Sequence, residues 1–290
     1  MINGKDDSLP RAVTALAAHW PQLTYLPEDA AAFATFSGVS TATPAKPAKP
    51  FVRDDGETIS LHFSLDELQS SMNKLQPQWL EVDYTRTMMG FLLFKPAPVH
   101  IAMMGLGGGS LAKFCYSQLP RSRMTVLEIN PEVIALRKTF CVPDDDARFE
   151  VIEVDGAVYV ATQTATCDVL LVDGFDENGQ PPALCSQGFY DDCFNALTPD
   201  GVLAVNLHYE DAAYPLWLAR LQRSFGGHVT EIPALEKSNC IVFASRAMAL
   251  PAPRQISVQA ALSGLDSSAR QQLKAEFARI TWTMRGASLA

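Results

Sequence analysis

No run of about 18 apolar residues occurs anywhere in this 290-residue chain, so the sequence offers no transmembrane helix. Its first residues carry the acidic pair Asp6-Asp7 where a secretory leader would be basic, and a cytoplasmic setting is expected. Blocks of five or more Lys and Arg are also missing. With 23 basic against 32 acidic side chains the formal net charge is −9, which argues against non-specific binding to nucleic acid or an anionic membrane surface. The same balance favours attraction of a basic small molecule, such as an amine or polyamine. The six cysteines (Cys115, Cys141, Cys167, Cys185, Cys193 and Cys240) form no C-x-x-C pair and lie mostly among apolar neighbours, so they are read as reduced, buried and inert. Internal repeats are absent too. What is present is a composition 48% hydrophobic, which excludes disorder as the main state and suits one large domain with a smaller appendage.

Residues 1–50 are rich in Ala, Pro, Ser and Thr and close on STATPAKPAKP, a semi-rigid spacer; they read as an extension with one short helix around residues 11–19. Residues 51–81 read as a small β element. The alternation in TISLHF (58–63) predicts a strand, and residues 65–72 a helix or turn. A larger domain is expected over 82–248. It opens with a helix at 82–94, where Thr85, Met88, Met89 and Leu92 fall at helical spacing. Strands at 99–105, 124–130, 149–156, 167–176 and 201–207 then alternate with helices, including 111–119, a helix begun by Pro131, and 188–197 stopped by Thr198-Pro199-Asp200-Gly201. Another helix at 215–225 precedes an antiparallel pair, and the tail, 249–290, carries two helical patterns. Such alternation, with strands apolar throughout, predicts a Rossmann-like doubly wound α/β sheet.

Gly105, Gly107, Gly108 and Gly109 follow the first of these strands and open a helix, and Glu128 ends the next strand. Glycines admit a ligand close to the backbone, while an acid at that spacing can accept the two hydroxyls of a ribose. Asp155, followed by Gly156, ends the third strand, where an adenine amino group could bind. Asp173 and Asp176 end the fourth. Ligands of open α/β sheets bind at the carboxyl ends of the strands, so four successive strands ending on such groups describe one site. An adenosine-containing sulfonium compound accounts for all of them.

The motifs DYTRTMM (83–89), GLGGGSL (105–111), LEINPEVI (127–134), VDG (154–156) and DVLLVDGFDENGQPPAL (168–184), with FYDDCFNALTPDGVLAVN (189–206), resemble the spermidine/spermine synthase family, aminopropyltransferases built on the class I methyltransferase fold. The resemblance spans roughly residues 58–246. It implies that Gly105, Gly107, Gly109, Glu128, Asp155 and Gly156 hold the nucleoside of decarboxylated S-adenosylmethionine, with Gln69 mapping from the N-terminal strands. It implies further that Asp173 is the general base or amine anchor, assisted by Tyr84, and that Asp176 grips a cationic amine. Gly108 stands where the family carries an aspartate for the amino end of the decarboxylated compound. Thr85 and Arg86 replace a glutamine and an acid. Two rival readings follow: a methyltransferase using S-adenosylmethionine itself, and a non-catalytic nucleoside-binding protein of the same fold.

Other residues carry less. His208, Tyr209, Glu210 and Asp211 could line an acceptor pocket or form a polar loop. His62 and His228 are isolated in sequence, and no metal is expected. Asp144, Asp145 and Asp146 read as a solvated turn. The reading admits a homodimer and includes no nucleic acid or membrane partner.

Overall fold

Alternation along the strands decides which side of the sheet each residue covers. In β4 (His100–Met104), Ile101 and Met103 join one buried apolar cluster, and Ala102 and Met104 join a second on the opposite face. β5 (Arg123–Glu128), β6 (Phe149–Glu153), β7 (Cys167–Val172) and β8 (Leu197–His208) run parallel to β4. Two antiparallel strands complete the seven, β9 (Val229–Pro233) and β10 (Asn239–Ser245), in the order β6-β5-β4-β7-β8-β10-β9. With both faces apolar, both must be covered by helices, as expected of a doubly wound sheet. The structure, a computed structural model, describes residues 49–64, 68–176, 179–235, 238–247 and 249–287. The helix expected around 11–19 lies outside them.

The first cluster is covered by α1 (Asp83–Met88), a 3-10 turn (Met89–Leu93), α2 (Ser110–Gln118), α7 (Val258–Leu262) and α8 (Ser267–Ala287). The second lies under α4 (Gly156–Val160), α5 (Gln187–Ala196) and α6 (Tyr214–Ser224). Between β5 and β6, the short α3 (Pro131–Ala135) is capped by Asn130, whose side chain accepts the Glu132 amide. Helix α8 is tied to the front of the domain. Its Leu273, Phe277 and Ile280 are fully buried, Gln272 accepts the Leu80 amide at 2.9 Å, and Glu276 accepts the Thr87 hydroxyl while pairing with Arg279 at 2.6 Å. No helix among the described residues is long and apolar enough to cross a membrane.

Four expectations are corrected. The helix or turn foreseen at 65–72 is, over its described part, strand β3 (Leu68–Asn73), in which Ser70 and Met72 are buried and their neighbours are not. With β1 (Phe51–Asp54) and β2 (Thr58–His62) it forms an antiparallel three-stranded sheet. The helix foreseen at 82–94 is α-helical only through Met88. Strand β8 begins at Leu197, not 201: after the pair Cys167–Leu197 the next is Val169–Val202, so the Thr-Pro-Asp-Gly segment bulges from an edge that continues. Cys141 is exposed, unlike the other five cysteines, because it sits in the turn after α3 with φ 55°.

Candidate active site at the carboxyl edge of the sheet

Strand order reverses between β4 and β7, which leave the sheet in adjacent positions, and the loops beyond them meet there. The Gly105 amide donates to the Leu127 carbonyl, and the Asp173 amide to that of Met104. Gly105, Gly107 and Gly109 have φ of 87°, 52° and 69°, a left-handed path that costs other residues about 1 kcal/mol or more. At Gly105 space is also exhausted, since a Cβ there would stand 2.2 Å from the Asp173 carbonyl oxygen.

Glu128 is buried at the end of β5 and closes the loop from below. Its Oε2 accepts the Leu106 amide and its Oε1 the Asn130 amide, both at 2.8 Å. Burial raises the Glu128 pKa, opposed by these amides. Asp155 caps α4, with Oδ1 accepting the Ala157 amide at 2.8 Å and the Val158 amide at 3.5 Å. Gly156 begins that helix against Met104, 2.9 Å from where its Cβ would lie. Each expected acid thus has a structural duty, which fixes its position without consuming all of its acceptor capacity. Gln69 is the extra residue of a bulge in β3, where Leu61 pairs with Ser70 and His62 with Leu68. The contact with the glycine loop comes from its neighbour. Ser70 Oγ lies 3.4 Å from Ser110 Oγ and fills the space beside Gly108, where a Cβ would be 2.6 Å from it and 2.9 Å from Phe140 Cδ1.

Asp173 follows β7 on the other side of the switch point. The Tyr84 hydroxyl on α1 donates to its Oδ2 at 3.1 Å, and the Asn206 amide on β8 donates to its Oδ1 at 2.9 Å. Burial pushes the carboxyl pKa up, and these two donors oppose it. Burial also drives the Tyr84 hydroxyl upward, and the adjacent Asp173 adds to it. A desolvated carboxylate with two oriented donors is the arrangement of a base held for a proton. Asp176, half-buried, lies three residues further on at a backbone bridge with Gly179. His208, from the expected polar loop, packs its ring on Phe175 at 4.7 Å. Thr85 and Arg86 bond the carbonyls of Val82 and Leu80 through their side chains. Among the described residues no cluster of acids, His and Cys could hold a metal.

Sequence reasoning missed Asn206 and Ser70. The signal for Asn206 was available: it is a single amide in the apolar run 201–207, and a buried amide requires a partner.

A family model for the spermine/spermidine synthase domain matches residues 81–213. A polyamine aminopropyltransferase of Neisseria meningitidis is 43% identical over 205 residues, 69% of this chain and 78% of that protein. One of Chromobacterium violaceum is 41% identical over 206 residues, 70% of this chain and 79% of its own length. Among solved structures, a probable spermidine synthase from Corynebacterium glutamicum superposes with TM-score 0.62 at 21% identity, covering 77% of this chain and 89% of that one; this likeness concerns the fold.

Proposed function

The chain belongs to the spermidine/spermine synthase family, and on that premise we propose that it transfers the aminopropyl group of decarboxylated S-adenosylmethionine to an amine. The observation that carries the reading is the convergence of Tyr84 and Asn206 on the half-buried carboxylate of Asp173.

An ammonium has no lone pair to attack with, so an amine substrate must first lose its proton. Asp173 takes that proton, Tyr84 holds the carboxylate toward the cleft, and Asp176 supplies negative charge for the distal cationic nitrogen of a diamine. The amine nitrogen then bonds to the carbon bearing the sulfonium. The carbon–sulfur bond breaks, and its electron pair leaves on sulfur as neutral methylthioadenosine. Glu128 and Asp155 hold the nucleoside through ribose and adenine, and the glycine loop admits it against the backbone. Alignment of the two reactants supplies much of the rate.

One observation favours a second reading. At Gly108 no carboxylate faces the donor's tail, and Ser70 fills the place of any side chain there, so the carboxylate of S-adenosylmethionine would meet no like charge from this position. That reading is methyl transfer. The test is turnover with each donor against a panel of diamines and polyamines. Methylthioadenosine formed only with the decarboxylated donor is the expected result. Adenosylhomocysteine instead would establish the second reading, and neither product would leave a nucleoside-binding protein.

A further inference from the structure

Asn206 and Asn239 are buried on neighbouring antiparallel strands, 1% and 4% exposed. Asn239 pairs with His208, which sets it diagonally across from Asn206 on the same face of the sheet. Its Nδ2 donates to Asn206 Oδ1 at 2.9 Å, and Asn206 Nδ2 donates in turn to Asp173 Oδ1 at 2.9 Å. Asn206 alternates with Val202 and Ala204 on the face covered by α1, the helix that brings Tyr84.

A primary amide is nearly symmetrical in shape and opposite in function at its two ends. Alone beside Asp173, the Asn206 amide could present either end. Its NH2 would favour an ionised carboxylate. Its carbonyl would repel that carboxylate and accept a proton from the neutral acid. The Asn239 donor occupies the carbonyl and leaves only the NH2 for Asp173.

We propose that Asn239 and Asn206 form a positioning relay that holds Asp173 in its proton-accepting form, the first by fixing which way the second faces. This rests on the aminopropyl-transfer reading for its consequence in turnover, but not for its geometry. Burial works against the relay by raising the Asp173 pKa. The other titratable groups around the carboxyl are Tyr84 with its neighbour Asp83 on α1, Asp176 on the same loop, and His208 at the end of β8.

The test uses the full chain with Asn206→Leu, Asn239→Leu and the double variant, which keep the branching of the native side chains and remove their polar atoms. In kcat/KM for the amine, the acidic limb should move to higher pH by about one unit in Asn206→Leu, the loss of one hydrogen bond to a charge. Asn239→Leu should move it in the same direction, although Asn239 does not touch Asp173. The double variant should match Asn206→Leu rather than the sum, as members of one chain do. Methylthioadenosine affinity should stay within about twofold in all three. An unmoved limb in Asn239→Leu, with thermal stability lowered, would reduce the pair to a structural bond and overturn the relay. Should the Leu variants not fold, Asn239→Ser carries the same expectation. Carbon-13 NMR of labelled aspartate, with Asp173 assigned by its loss in Asp173→Asn, reads the same titration in the ligand-free protein. Displaced titration alongside an inactive wild type would overturn the proposed reaction and support the relay; undisplaced titration would overturn the relay whatever the activity.

Discussion

The two halves of the site are built on different principles. On the glycine-loop side much of the construction is local: Glu128 bonds the amide of Asn130 two residues on, besides that of Leu106 in the loop, Asp155 caps the helix it precedes, and Gly105, Gly107 and Gly109 turn by their own backbone freedom. On the Asp173 side the carboxylate is held by residues 89 and 33 positions away, Tyr84 and Asn206. Local construction tolerates loss of a distant contact. Assembly from distant side chains concentrates the cost of any one loss on the chemistry.

That contrast can be broken by mutation. Asp173→Asn should show the largest effect, a fall in turnover of about a hundredfold or more with methylthioadenosine binding preserved, since losing a general base costs about 10² to 10⁴. Turnover near wild type would remove Asp173 as the base. Glu128→Ala should do the converse, weakening methylthioadenosine by about 1.5 to 3 kcal/mol in calorimetry, and unchanged affinity would detach Glu128 from the nucleoside. Gly108→Ala should lower folding stability by about 1 to 3 kcal/mol, because the added methyl overpacks against the fully buried Phe140 ring. Denaturant unfolding would show it, and Ser70→Ala in the same chain should recover only part.

The smallest effect sharpens the comparison most. Tyr84→Phe removes one donor from Asp173 and should lower turnover by roughly tenfold, about the 1.4 kcal/mol of a single hydrogen bond. Its diagnostic is the pH profile. The base must be ionised, and burial already raises its pKa, so wild-type activity should fall with decreasing pH above the ordinary carboxylate range. Removing a donor that favours the ionised form should carry that fall to higher pH still. A profile that does not move would show that Tyr84 orients substrate and not Asp173.

The same division explains what could be read beforehand. Gly105, Glu128, Asp155 and Asp173 each end a strand whose apolar run is plain in the sequence, so their meeting at one edge follows from the fold class. Tyr84 needed the family resemblance, since nothing local ties residue 84 to residue 173. The partnership of Asn206 with Asn239 was hidden because it depends on the register of β8 against β10, which period-two alternation does not determine. Strand β3 was misjudged because its buried positions, Ser70 and Met72, are too few and one too polar to display alternation.

The contact between Gly105 and the Asp173 carbonyl sets a boundary for anyone redesigning this protein. A graft that carries its own strand end in place of Val172 and Asp173 would bring a foreign main chain against the glycine turn and reset both halves together. The peptide at 173 and the absence of a side chain at 105 therefore form one unit, and a change on either side is felt by both.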